Sequence, residues 1–242
     1  MNRGKPRQHL VLFDIDGTLM VTGGAGSRCI LRACQKVFGG HFEWGPITVG
    51  LPDPQIFVQL ARHNHIEQPD QHHAIYREAY LALLEQELQR IGPDIRVMPG
   101  IRPLLDCLRS MPRVMMGLVS GNYRKAAELK LRAAGFDLDW FEAQAFAEDG
   151  QDRAELVRVA IDRCVGRTGR PLPPGHVIVV GDTPRDIDCA RTNGCRSLAV
   201  ATGRYSLETL VDAGADRVVQ DLAWPQPLLE MLKSSDQVTD EC

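Results

Sequence analysis

Two aspartates, Asp14 and Asp16, sit in the stretch VLFDIDGTLM, where an apolar run ends and Gly17 follows. Residues two apart on an extended chain point to the same side, and a glycine lets the backbone turn away behind them. A second pair comes from HVIVVGDTPRD, which places Asp182 after another apolar run and Asp186 four residues on. The run RVMMGLVSGN ends in Ser120, Gly121 and Asn122. In an open parallel sheet, ligands bind outside the carboxyl ends of the strands, so these polar residues are expected to gather at one edge.

Such a gathering of carboxylates has a definite chemistry. Two like charges about 4 Å apart repel by about 4 kcal/mol at an effective dielectric near 20, so the cluster needs a cation to stay ionised. Oxygen donors without histidine or cysteine suit a hard ion, and Mg²⁺ commonly combines one or two carboxylates with waters and a substrate phosphate. The residues therefore read as a metal-plus-phosphate site.

The elements that must position these residues are legible in the hydrophobic pattern. HLVLFD, RVMMGLVSG, HVIVVGD, CRSLAVATG and a weaker DRVVQ are β-rich runs separated by helical stretches. Continuous apolar runs of this kind mark strands buried on both faces of a parallel sheet. The expected fold class is α/β, a doubly wound, mainly parallel sheet. Helices are expected in YRKAAELKLRAAG, with Ala126, Leu129 and Ala133 on one face and Gly135 as its stop, and in GIRPLLDCLRS, with Ile101, Leu104, Leu105 and Leu108. DRAELVRVAIDRC opens with Asp152 and Glu155 at capping-box spacing.

Between residues 24 and 91 the alternation fails. Three helical patterns, Ala25 to Phe38, Pro54 to His63 and His72 to Arg90, follow one another with no strand between them. This predicts a helical subdomain over 23–94 inserted into a core of 1–22 and 95–242, with VTGGAG and GPDIRVMPG as hinges.

Composition narrows the partners. With 242 residues, 44% of them hydrophobic, and a formal charge of −3, the chain is neither disordered nor a nucleic-acid-coating protein. Its seven cysteines include no C-x-x-C pair, which argues against a disulfide framework or zinc knuckle and fits a reducing cytoplasm. No run reaches the roughly 20 apolar residues of a membrane span. The basic MNRGKPRQ is read as a solvated tail rather than a signal peptide, and KSSDQVTDEC as a frayed end.

DIDGT after an apolar strand, a serine after the second strand, a basic residue opening a later helix, and GDTPRD after another strand together resemble the haloacid dehalogenase superfamily. The resemblance spans the whole core, and the insertion at 23–94 is similar to that family's α-helical cap. It implies a Mg²⁺-dependent phosphatase acting on a small phosphorylated metabolite, phosphoglycolate phosphatase-like, with no nucleic acid or membrane as partner. By the same resemblance Asp14 is the nucleophile that forms an aspartyl-phosphate, and Asp16 is the general acid and then base. Asp14, Asp182 and the Asp16 carbonyl would bind Mg²⁺. Gly17, Thr18, Ser120, Gly121 and Asn122 would surround the phosphate, and Asp186 would hold a metal water or support the basic residue.

One departure stands out. The family usually offers a lysine before the GD strand, but no lysine occurs between Lys130 and Lys233. Arg153, at the first turn of its helix, is the expected substitute. A cation there opposes the helix dipole, so a nearby anion should hold it, and arginine can clamp a phosphate through two donors. A phosphomutase of the β-phosphoglucomutase type would share every core residue, and a non-catalytic metal- and phosphate-binding regulatory module is the non-enzyme alternative. Halide release needs neither Asp16 nor the GDTPRD acids, which counts against a dehalogenase.

Other motifs carry structural readings. His63, His65, His72 and His73 lack the spacing of a zinc site and are read as cap surface, and GGAGSR lacks the third glycine of a dinucleotide fingerprint. Asp53 and Pro54 read as N-cap and N1 of a helix. Leu51 and Asp53 are expected to contact substrate, as cap loops of this kind do in the family.

Overall fold

The structure, a computed structural model, describes residues 9–47 and 50–237, leaving aside the side chains of 93 and 235–237. The expected solvated tail at 1–8, residues 238–242 and Cys242 lie outside the described residues.

Six parallel strands form the main sheet: β1 (His9–Phe13), β4 (Val114–Val119), β5 (Ala143–Ala145), β6 (Val177–Gly181), β7 (Arg196–Val200) and β8 (Arg217–Val219), in the order β5-β4-β1-β6-β7-β8. The intervening labels β2 (Met20–Val21) and β3 (Arg96–Val97) belong to a separate antiparallel ribbon. Of the main strands, only β5 has no counterpart among the sequence expectations: three residues, AQA, with a polar centre, leave no apolar run to read.

β1 is buried at every position, as are β4 and β6. Its alternate residues feed different cores. Val11 and Phe13 join Met116, Leu118, Ile178 and Val180 on one face, and Leu10 and Leu12 join Met115, Val177 and Val179 on the other. A strand with two apolar faces has no alternation to show, which is why these segments read as unbroken apolar runs.

Helices cover both faces. α4 (Ile101–Ser110) buries Ile101, Leu104, Leu105 and Leu108 as expected, and α9 (Gln226–Gln237) packs in the same cluster. α6 (Arg153–Thr168) and α7 (Pro184–Thr192) cover the opposite face, and α8 (Leu207–Asp212) lies near β8. α9 continues through Gln237, so the first half of the KSSDQVTDEC segment is helical rather than frayed.

α5 (Arg124–Ala133) ends with Gly135 at φ +75°, the left-handed stop that its glycine implies. Its buried face differs from the expected stripe. Ala126 and Leu129 are buried, but Ala133 is exposed and the face is completed by Ala127, Lys130 and Leu131. At α6, the Asp152 carboxylate accepts from Glu155 N at 2.8 Å, whereas Glu155 Oε2 takes Gln151 N at 2.7 Å. The expected reciprocal bond is thus displaced by one residue.

The insertion is helical: α1 (Ala25–Phe38), α2 (Asp53–His63) and α3 (His73–Arg90). Ile30, Phe57, Tyr76, Tyr80 and Leu84 build its apolar cluster, which also takes in Tyr123, Ala126 and Leu129 of the core side. The ribbon of β2 and β3 pairs the chain where it enters this excursion with the chain where it leaves. Among the described residues no helix is long and apolar enough to cross a membrane.

Candidate active site

Because β4 and β6 flank β1 in parallel, with Phe13 in register with Leu118 and Val180, the residues that follow the three strands emerge side by side. They are Asp14, Ser120 and Asp182. All three are buried and line one cavity of about 940 Å³. This volume lies in the range of small-molecule sites.

Asp14, Asp182 and Asp186 each bring a carboxylate oxygen within 4.8 Å of the others. Arg153, the first residue of α6, is the cation among them: its Nη2 lies 2.7 Å from Asp14 Oδ1 and 2.6 Å from Asp186 Oδ1. These are the anions that a guanidinium at a helix N-terminus was expected to need. Asp186 is shared, because its Oδ2 accepts from Thr183 N at 3.0 Å and from Thr183 Oγ1 at 2.7 Å, capping α7. It stands behind the cavity wall and supports Arg153.

Three carboxylates against one guanidinium leave the cluster negative. Burial pushes the Asp14 carboxyl above the ordinary carboxylate range, Arg153 offsets only part of this, and Asp186 and Asp16 add to it. Asp182 is raised in the same way, by burial first and then by Asp14 and Asp186. Without a further cation, protons must take up part of this charge.

The space around Asp182 is shaped as well. A Cβ on Gly17, whose φ is +88°, would fall 2.4 Å from Asp182 Oδ2, and one on Gly203 would fall 1.7 Å from it. Thr18 Oγ1 donates to Asp182 Oδ1 at 3.1 Å. Thr18 is absent from the cavity lining, so its hydroxyl orients the acid instead of facing the cleft. Donor chemistry, charge and clearance all fit a divalent ion at Asp14 and Asp182.

Asp16 is held differently. Its Oδ2 accepts from Lys130 Nζ at 2.6 Å and from Asn122 Nδ2 at 2.7 Å, while 42% of its side chain remains exposed toward the cleft. Burial pushes its pKa up, but Lys130 and Asn122 outweigh that and the net shift is downward. Asn122 also donates to Ser120 Oγ at 2.8 Å, tying the serine into the same group. Ser120 is not the N-cap of α5; Tyr123 holds that position. Gly121 and Asn122 line the cavity with it.

Lys130 escaped sequence reasoning. It lies four residues after Ala126, on the buried side of α5, and a lysine on an apolar stripe was the signal that could have found it. Asp53 was assigned a local role that the structure does not give it. Pro52 is the N-cap of α2, and the Asp53 carboxylate makes no cap bond to its own helix. Instead Asp53 Oδ2 accepts from Tyr123 N at 2.8 Å, and Asp53 N donates to Gly121 O at 2.7 Å. Asp53 and Leu51 both line the cavity, whose far wall includes Ile30, Leu31, Trp44 and Ile47. Among the described residues no histidine or cysteine group forms a metal-binding cluster.

Comparison with known proteins bears on this arrangement. The family model for haloacid dehalogenase-like hydrolases matches residues 11–200, from β1 to the end of β7. Phosphoglycolate phosphatase of Synechococcus elongatus is 28% identical over 91% of this chain and 95% of its own length. Tyrosine-protein kinase PtkA of Mycobacterium tuberculosis is 27% identical over 92% of this chain and 72% of its own. Among solved structures, β-phosphoglucomutase from Clostridium difficile superposes with a TM-score of 0.69, covering 95% of this chain and 98% of its own at 18% identity, a likeness of fold.

Proposed function

We propose that this chain, which belongs to the haloacid dehalogenase-like hydrolases, is a Mg²⁺-dependent phosphatase that hydrolyses a small phosphomonoester through an aspartyl-phosphate on Asp14. The observation that carries the reading is the meeting of Asp14 and Asp182 at adjoining strand ends with Arg153 from the start of α6, and with Asp16 beside them. The phosphoglycolate phosphatase relative supports the same reaction class.

In this reading Asp14 and Asp182, with the main-chain carbonyl of Asp16, hold the metal ion. When bound, such an ion neutralises charge on the phosphoryl oxygens and orients the ester. An Asp14 carboxylate oxygen attacks phosphorus, and the ester oxygen leaves with a proton from Asp16. Water then attacks the aspartyl-phosphate and loses its proton to Asp16, which frees phosphate and restores the Asp14 carboxylate. Arg153, Ser120 and the backbone N–H groups around Gly121 stabilise the transferring group, where positioning and charge supply most of the rate.

Residues 23–94 serve as a cap over a core of 1–22 and 95–242, narrowing access and excluding bulk water. Their apolar far wall beside the charged floor suits a small phosphorylated metabolite.

The test is turnover of p-nitrophenyl phosphate and a panel of phosphorylated metabolites with Mg²⁺, together with mass spectrometry of the quenched enzyme. Phosphate release with a phosphoryl adduct on Asp14 is expected. Turnover that survives in Asp14→Asn would overturn the assignment.

A further inference from the structure

Lys130 is a buried cation that the family resemblance does not employ, and its surroundings are specific. Its side chain is 5% exposed, and Nζ donates to Asp16 Oδ2 at 2.6 Å and to Asn122 Oδ1 at 2.7 Å. Asn122 returns its Nδ2 to the same Asp16 Oδ2 at 2.7 Å, closing a three-membered ring of side chains. Both donors take one oxygen of Asp16, and Oδ1 is left to the cleft.

The lysine also lies in the seam between core and cap. A Cβ added to Gly26, at the start of α1, would come 3.7 Å from Lys130 Nζ and 3.9 Å from Tyr80 Oη. α1 therefore passes the lysine at ordinary van der Waals distance, beside its reach to Asp16.

We propose that Lys130 is a positioning residue for the hydrolytic half of the reaction: it locks the Asp16 carboxylate so that Oδ1 receives the proton of the attacking water. This rests on the phosphatase reading above. The step it serves is fully accounted for: a water O–P bond forms, the P–O bond to Asp14 breaks with its electron pair returning to that carboxylate, and the water proton passes to Asp16. A carboxylate free to rotate loses the alignment, and general base catalysis of this kind contributes roughly 10²–10⁴-fold.

The consequence is selective. p-Nitrophenolate leaves without needing a proton, so formation of the aspartyl-phosphate from this ester does not depend on Asp16. In Lys130→Met, kcat for p-nitrophenyl phosphate should fall roughly ten- to a hundredfold, less than the full 10²–10⁴ of general base catalysis because Asp16 itself remains, while kcat/KM changes less than about threefold. Stopped flow should show a burst of nitrophenolate approaching one per active site. Lys130→Gln, which keeps a donor, should recover part of kcat. In the Asp16→Asn background, Lys130→Met should cause no further loss, since the lysine acts through that residue.

Equal falls in kcat and kcat/KM without a burst, or additive losses in the double variant, would overturn the proposal. Should Lys130→Met lose its cooperative melting transition, Lys130→Gln carries the same readings. Wild-type enzyme inactive on the whole phosphate panel would instead refute the phosphatase reading itself.

Discussion

Arg153 Nη2 lies 2.7 Å from Asp14 Oδ1, so the guanidinium touches the very carboxylate that faces the cavity floor. The same nitrogen lies 2.6 Å from Asp186, and burial shields both pairs from screening. In the phosphatase reading proposed above, this arginine would take the place of the family's lysine, and it would bring a planar, multidentate donor there.

That substitution has a measurable signature. Arg153→Ala should lower kcat/KM for p-nitrophenyl phosphate by roughly 10²–10³, the range for loss of one preorganised donor. Arg153→Lys should restore only part, because an ammonium supplies charge without the fork. A near-normal rate in the alanine variant would assign Arg153 a purely structural part.

Metal binding should register as stability even without turnover. At Mg²⁺ a hundredfold above its Kd, linkage contributes about 2.7 kcal/mol, which corresponds to a rise in Tm of roughly 5–10 °C for a chain of this size. Calorimetry should show this rise in wild type, its removal by chelator, and its loss in Asp182→Asn. A melting curve indifferent to Mg²⁺ would contradict the assigned ligands.

Gly17 and Gly203 leave room for Asp182 on either side. Gly17→Ala introduces a Cβ within 2.4 Å of the Asp182 carboxylate, at a φ of +88° that favours glycine. Displacing a ligand in this way should weaken Mg²⁺ affinity roughly 10–100-fold, as loss of supporting contacts does at other metal sites. Titration followed by Tm would reveal an unchanged affinity if the clearance had no bearing on the ion.

Asp53 should shape the pH dependence of stability. Burial pushes its carboxyl up from 3.8 to about 7, against Lys130 and the Tyr123 N–H. The folded protein therefore binds a proton more tightly than the unfolded chain, and stability tied to this group is lost as pH rises from about 4 through about 7. Asp53→Asn keeps an acceptor for Tyr123 N and removes the slope. It should stabilise the fold at pH 8 by on the order of 2 kcal/mol and leave it unchanged near pH 4, as urea titrations at the two pH values can establish.

The parts legible in the sequence were those whose signal is local. Asp14 and Asp182 follow apolar runs directly, and the parallel register carries them to one edge. The helices α1 and α4 announce themselves through periodicity. Lys130 was hidden because the α5 stripe of Ala126 and Leu129 appears complete without it, and its partner Asp16 lies 114 positions away. Asp53 was misread for the opposite reason: a proline beside it supplies an adequate local explanation, whereas its true partner, Tyr123 N, is 70 positions distant. β5 is too short and too polar at its centre to register as a strand.

Met20–Val21 and Arg96–Val97 pair with each other, so the chain departs for the helical excursion and comes back at adjacent points. Whatever is threaded between those points leaves the spacing of the two ends unchanged. Asp14 and Asp182 follow β1 and β6, so their places are set by the sheet and not by the helices of the excursion. The paired stalk is one mooring of the excursion and Asp53, bonded to Gly121 and Tyr123, is a second, so its helices are tethered to the strand ends at two separate places.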